Sequence, residues 1–462
     1  MTSSDLPAIS YPRRLYWSAY TAYHCRGQVQ YPFRSLKAIE GDRDRRVRAA
    51  ITYACRWVPY YRETMDRLGL RPGQFETADD LARLPLLRRE QVQRDPEYFT
   101  STRQPLSAYL RRANSGSTGT PCVFYNDTAA MCHYAACYQR LRSPLLPLLG
   151  RLHGYRKTSI LGVRRGRLTT NEFYQQLLWM PPGVRLERQA LSLLDPAEYN
   201  VPLINRFQPD VLEGSGSYLA ALFSYLEGSG APMHRPKALL YTLDALPESA
   251  RRLINAKFGI PVFGTYEAQE ANCLAFECEQ HEHYHVNIDL AAVRVVDEEA
   301  RSVSPGEPGN VVVSNLVLRG TMLLNYMLED VAAWVPGVCG CGRSLPRLGR
   351  LLTRLDDWLE LPSGRRVHPH ILPGVMLKEE GIWQYQVTQE SPALLKVAVV
   401  CMDDLDRAAY GARLQARFKQ ELGTAVNVRV EFVQDVQRTP SGKVRPLISL
   451  RTKGWLERST SP

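Results

Sequence analysis

Residues Asn114 to Pro121 read Asn-Ser-Gly-Ser-Thr-Gly-Thr-Pro. The small residues Gly116 and Gly119 let backbone N–H groups turn toward an anion. The hydroxyls of Ser115, Ser117, Thr118 and Thr120 can donate to its oxygens, so the chemistry available here is phosphate binding. It is not a Walker loop, which needs Gly-Lys-Ser/Thr opening a helix; Thr120 stands where the Lys would be. A second constellation is built from softer ligands. Cys278 is followed by His281, His283 and His285, and Cys339 and Cys341 come later in Cys-Gly-Cys-Gly-Arg. Three thiolates and one imidazole make a tetrahedral Zn²⁺ site with no position left for water, hence a structural one.

These groups need a scaffold. The segments on either side of the phosphate loop, Ala-Tyr-Leu-Arg-Arg-Ala-Asn and Pro-Cys-Val-Phe-Tyr-Asn-Asp, read as two strands, and Thr128 to Arg142 as a helix stopped before Pro144. Short apolar strands then alternate with amphipathic helices. They lie near residues 157–163, 209–214, 237–243 and 260–266, which predicts an α/β layer with a largely parallel sheet. Residues 285–318 alternate in the manner of antiparallel strands around a Ser-Pro-Gly-Glu-Pro-Gly turn. Upstream, residues 43–58 carry Val47, Ala50, Ile51 and Ala54 at helical spacing, with Pro59 ending the helix. Beyond about Asp356 the pattern becomes β-β-α-β, a small separate unit.

Composition narrows the class. With 462 residues and 44% apolar content, the chain is long enough for two or three domains. No run of 18 apolar residues is present, and the first residues lack the apolar core of a secretory signal. Ten Cys without secretory features point to a reducing cytoplasm. The net charge of +11 suits phosphate-bearing ligands and gives little support to nucleic-acid binding.

The loop Asn-Ser-Gly-Ser-Thr-Gly-Thr-Pro resembles the phosphate loop of adenylate-forming enzymes. The other landmarks fall in the order of the phenylacetate–CoA ligase and CapK-like family, from about residue 45 to 447. The resemblance implies an α/β adenylate-forming fold. It has a large N-terminal α/β domain over 1–354 (helical lead-in 1–105, ATP- and acyl-binding core 106–354) and a small mobile α+β C-terminal lid over 355–462. It also assigns roles. In Tyr-Glu-Ala-Gln-Glu, similar to the family's Tyr-Gly-x-x-Glu, Glu270 helps to hold Mg²⁺ on ATP and Tyr266 lines the adenine–acyl pocket; a hard carboxylate suits that ion. Asp330 takes the ribose hydroxyls, and Arg354 approaches the nucleotide. Asp356 is the pivot of the lid. Lys443, in Pro-Ser-Gly-Lys, enters the closed site and touches both the attacking carboxylate and the α-phosphate. The CapK-like pattern selects His285 to complete the metal set with Cys278, Cys339 and Cys341; from the residues alone, His281 and His283 remain alternatives.

Together these imply ATP, Mg²⁺, coenzyme A and a structural Zn²⁺ as cofactors, with a small carboxylic acid and a thiol or amine acceptor as partners. The oligomeric state is open, with a homodimer as one form. Four positions depart from the family pattern: Glu267, Glu329 and Thr353 replace Gly, and Asn325 replaces Arg. Those at 325, 329 and 353 keep in view a non-catalytic zinc-bearing scaffold or nucleic-acid binder of the same fold; among enzymes the rival is adenylation with another acceptor such as an amine or carrier protein.

Overall fold

The computed structural model describes residues 9–113, 122–161, 170–181, 183–351, 359–367, 375–376, 381–402, 405–439 and 444–450. The phosphate loop, the hinge segment with Arg354 and Asp356, the proposed boundary at 354 and Lys443 lie outside these residues.

Strands β1 (Leu110–Ala113) and β2 (Val123–Asn126) pair antiparallel, Ala113 opposite Val123. The phosphate loop thus joins the ends of a hairpin, as its flanks predict. The helix Thr128–Arg142 follows in the chain, its N-terminus capped by the Asp127 carboxylate, which accepts from Ala130 N at 2.9 Å.

The central layer is a nine-stranded sheet. Its strands in chain order are β3 (Arg156–Leu161), β4 (Glu187–Ser192), β5 (Val211–Ser215), β6 (Ala238–Thr242), β7 (Val262–Ala268), β8 (Asn272–Glu277) and β9 (Tyr284–Val286). The three strands β10 (Ala291–Val296), β11 (Gly309–Asn315) and β12 (Tyr326–Ala332) leave it to form their own antiparallel sheet, before β13 (Trp334–Val335) and β14 (Arg347–Leu348) return. The order across the large sheet is β13-β14-β9-β8-β7-β6-β5-β3-β4. Strands β3 to β7 are parallel, and from β8 onward the pairings are antiparallel. Parallel strands must be covered on both faces, and β6, buried at all five residues, shows why its sequence is a continuous apolar run.

Two sequence expectations need correction. Strand β4 and its following helix Ala197–Phe207 are absent from the strand pattern read above. The strand sits at the sheet edge, where Glu187, Arg188 and Gln189 replace the apolar run. The helix expected over 43–58 begins at Leu36 instead. Ser35 caps it by accepting from Ala38 N at 3.4 Å, and Ile39 of its first turn is buried while Leu36 is exposed. Pro59 does end that helix, and it also opens the next, Pro59–Leu68, at the position where its missing N–H costs nothing.

The C-terminal unit has β15 (Leu359–Glu360) paired with β16 (Arg366–Val367), and a four-stranded sheet of β17 (Ile382–Ser391), β18 (Leu394–Cys401), β19 (Asn427–Phe432) and β20 (Leu447–Ile448) in the order β19-β18-β17-β20. The helix Arg407–Leu422 lies on that sheet and buries Tyr410, Leu414, Phe418 and Leu422 in a core of the unit's own. Trp383, Val400, Val436 and Val444 leave this core for a cluster of the preceding α/β layer. Trp383, 1% exposed, packs in a cluster with Leu222 and Phe223, and its indole N–H donates to Glu227 Oε2 at 2.8 Å. Beside it Gln384 Nε2 donates to Ser217 O at 3.0 Å. No helix among the described residues is long and apolar enough to cross a membrane.

Candidate functional site

Tyr266 stands near the C-terminal end of β7 and donates its phenolic O–H to Asp330 Oδ2 at 2.7 Å. Two of the residues expected at a nucleotide therefore meet, although 64 positions separate them. The cause is a bulge. Met327 faces Val312 and Val331 faces Asn310, so Leu328, Glu329 and Asp330 all stand opposite the single residue Val311. Extra residues on one strand bend it and re-aim a side chain. Glu329 takes the turn at φ +65°, the left-handed region that suits the Gly of the resembled motif. The departure at this position keeps the backbone geometry.

Asn325 is explained in the same way. It has φ +55° and is buried; Asn is among the few non-glycine residues that adopt this conformation readily. Its Nδ2 donates to Leu84 O at 2.7 Å, its Oδ1 accepts from Arg294 Nη1 at 3.1 Å, and its carbonyl accepts from Leu87 N at 2.9 Å. It therefore fastens the helical lead-in to β12. Asn325→Ala is expected to cost about 2–4 kcal/mol, combining a left-handed alanine with unsatisfied buried groups. An unchanged denaturant midpoint would reject this fastening role.

Glu270 follows β7 and is buried, and its carbonyl accepts from Asn315 Nδ2 at 3.1 Å. Burial pushes the Tyr326 hydroxyl well above its ordinary range and the Cys122 thiol up to about 12, and the Glu270 charge adds to both shifts. Both groups remain neutral beside the carboxylate at physiological pH.

Of the expected metal ligands, Cys278, His285, Cys339 and Cys341 converge, with one ligand atom from each lying within 4.8 Å of the others. Cys278 Sγ and Cys339 Sγ are 3.7 Å apart, and Cys341 Sγ is 3.3 Å from His285 Nε2. A tetrahedron with Zn–S bonds of about 2.3 Å has S···S edges of about 3.8 Å, so the donor set fits that ion. His285 Nδ1 lies 3.4 Å from Leu345 O. A carbonyl only accepts, so Nδ1 carries the proton and the Nε2 lone pair faces the sulfurs. Burial lowers the imidazole pKa to about 4, which keeps it neutral and able to ligate. Burial also raises the Cys278 thiol, whereas at Cys341 the contacts from Arg343 outweigh burial and hold the thiol below its usual value. Arg343, ion-paired with Glu279, also contacts Cys341. The histidine alternatives do not take part. His281 stacks on Phe263 at 4.5 Å, and His283 is outside the cluster.

Sequence reading did not see the link between this cluster and β7. Glu277, beside Cys278, accepts from Gly264 N at 2.7 Å and from Arg251 Nη2 at 2.6 Å. Tyr284, beside His285, meets the Tyr241 hydroxyl at 2.9 Å. Gly264 has to be glycine here, since a Cβ would come within 2.6 Å of both tyrosine hydroxyls. A buried Glu and Arg flanking a Cys/His set were the available signal.

Residues 359–449 match the CapK C-terminal domain family. Phenylacetate-coenzyme A ligase of Thermus thermophilus is 25% identical over 91% of this chain and 98% of its own length, and protein CapK of Staphylococcus aureus is 20% identical over 84% of each. Among solved structures, a 2-hydroxyisobutyryl-CoA ligase in the postadenylation state aligns over 100% of this chain and 98% of its own, with a TM-score of 0.72 at 18% identity. The chain is a homologue of phenylacetate–CoA ligases and CapK with the adenylate-forming fold. The same CoA ligase in its thioesterification state gives a TM-score of 0.56 at 20% identity over 91% of each chain. In this homologue Tyr266 on β7 pairs with Asp330, and Glu277, next to Cys278 in the chain, holds the backbone of the same strand at Gly264.

Proposed function

We propose that the chain activates a carboxylic acid with ATP, giving acyl-AMP and pyrophosphate, and then passes the acyl group to the thiol of coenzyme A. The observation that carries this reading is the Tyr266–Asp330 hydrogen bond formed by the bulge in β12, with Glu270 on the adjoining loop. A carboxylate has about four acceptor sites, so Asp330 can hold Tyr266 and still accept from a ribose hydroxyl. Tyr266 orients that carboxylate. Glu270 would hold Mg²⁺, which neutralises phosphate charge when bound. The loop 115–120 cradles the phosphates, Arg354 approaches the nucleotide, and Lys443 supplies a cation at the α-phosphate.

Residues 355–462 act as a lid turning about Asp356. Trp383 and Gln384 hold it in one orientation against Glu227 and Ser217; the higher TM-score to the postadenylation form supports reading this as the state after acyl-AMP is made. The Cys278–His285–Cys339–Cys341 set holds a structural Zn²⁺. Such a cysteine-rich metal site suits a reducing cytoplasm.

The test is carboxylate-dependent ATP–pyrophosphate exchange across an acid panel, followed by thioester formation on adding coenzyme A. Exchange without thioester, but with an amine or a carrier protein accepting the acyl group, would replace the second step. No exchange with any acid would reject the enzyme reading.

A further inference from the structure

The first helix of the described residues, Tyr11–Cys25, is apolar on two sides. It packs inward through Trp17 and Tyr20 against a cluster that contains Met131, Phe173 and Leu177. Its outer side carries Tyr11, Leu15, Ala19, Ala22 and Tyr23 at helical spacing, with Tyr16 at the margin, and all six are exposed. Tyr11, Tyr16 and Tyr23 show 61%, 60% and 67% of their surface. A surface helix ordinarily turns charged residues outward. Folding of this chain alone does not account for the outer side.

The helix is fastened along its inner edge. Arg14 Nη2 donates to Gln175 O at 3.2 Å and to Leu178 O at 2.9 Å, and Ser18 Oγ accepts from Trp179 N at 2.8 Å. The last bond brings Trp179 and Met180 alongside, and both are exposed as well. Exposed apolar surface gathered in this way marks a site of association. The charge around it is mostly of one sign. Between Asp5 and Glu40 the sequence has no acidic residue and carries Arg13, Arg14, Arg26, Arg34 and Lys37. Arg34 is paired with Asp42, and Glu172 is exposed on the neighbouring helix Thr170–Leu177. Arg13 and Arg26, at the two ends of the first helix, are exposed.

We propose that the outer side of this helix is a membrane-contact surface, and that the chain binds peripherally to bilayers containing anionic lipid. Tyrosine and tryptophan rings favour the headgroup level, where an apolar body meets lipid and a polar edge stays wet. A helix with such a side lies in the plane of the interface, and basic residues draw it toward acidic headgroups. A second copy of the chain fits the surface less well. A two-fold contact sets the same patch against itself, and would bring the same cations together. Peripheral contact needs no membrane-crossing helix, and none is present among the described residues. The inference does not depend on the acid-activation reading.

The test is co-sedimentation of the full chain with vesicles of phosphatidylcholine alone and of phosphatidylcholine mixed with phosphatidylserine. Binding to the anionic vesicles is expected, with release by high salt as screening shortens the reach of surface charge. Arg13→Gln with Arg26→Gln should weaken that binding by about 10–30-fold, since each basic residue near an anionic surface contributes about a fivefold factor. Tyr16→Ser with Tyr23→Ser should weaken it about tenfold or more through lost ring burial. The substituted side chains are exposed, so the variants should keep the cooperative unfolding of the wild type. Tyr199→Ser, at a tyrosine 60% exposed on another helix, should bind as the wild type does. Failure of the wild type to bind anionic vesicles, equal binding to both vesicle types, or undiminished binding by the Tyr16/Tyr23 variant overturns the inference. A dimer that this variant dissociates, in a protein that ignores vesicles, would assign the surface to a second copy instead.

Discussion

Lys443→Ala is expected to slow acyl-AMP formation by about 10²–10³-fold, the usual consequence of removing one preorganised donor from a site where negative charge develops. As the acid attacks, charge gathers on the α-phosphate oxygens, and a mobile ammonium placed there stabilises the transition state more than the ground state. The loop that carries Lys443 is fastened at both ends. Arg438 and Val444 pair across its base, and Gln386 Nε2 donates to Gln437 O at 2.9 Å and to Arg445 O at 3.0 Å. Preformed acyl-AMP with coenzyme A bypasses the charged transition state, so that half-reaction should lose far less. The measurement is single-turnover formation of acyl-AMP beside thioester formation from the preformed adenylate. Equal losses in both would reject the role.

What could be read from the sequence follows from how local each signal is. The hairpin around residues 114–121, the helix Thr128–Arg142 and the β-β-α-β order of the C-terminal unit are set by short-range pattern, and all three are present. Strand β4 escaped because an edge strand needs no apolar run. The start of the helix at Leu36 escaped because Gly41 and the charged run Asp42–Arg46 interrupt the apolar spacing, leaving only Ile39 and the cap at Ser35 to mark it. The candidate site shows the same division. Tyr266, Asp330 and the Cys/His set could be named from motif order. That Asp330 reaches Tyr266 depends on a bulge, and bulges depend on strand register, which one sequence does not display. Asn325 and Glu329 looked like defects in a nucleotide motif. Their positive φ values show that they answer a backbone requirement instead.

Removal of the metal should be felt at the nucleotide. Elemental analysis of protein purified without a histidine tag is expected to give about one Zn²⁺ per chain, and Cys339→Ser should lose it. The ligands come from segments 278–285 and 339–341, so the ion would cross-link parts of the chain far apart in sequence. Structural zinc contributes its binding energy directly to folding. Without it, three sulfurs and an imidazole would be left crowded in a mostly buried space. The disturbance has a path to the site. Cys278 is bonded in sequence to Glu277, which holds the backbone of β7 at Gly264, two residues before Tyr266. Tyr266 in turn fixes Asp330. Cys339→Ser should therefore lower the thermal midpoint by several degrees and raise the KM for ATP, with a smaller effect on turnover at saturation. Cys273→Ser is the control: its sulfur lies 3.2 Å from Asn287 Nδ2, outside the cluster, and the variant should keep the metal. A folded, active preparation with metal content near zero would reject the metal and leave Cys278, Cys339 and Cys341 as ordinary thiols beside His285.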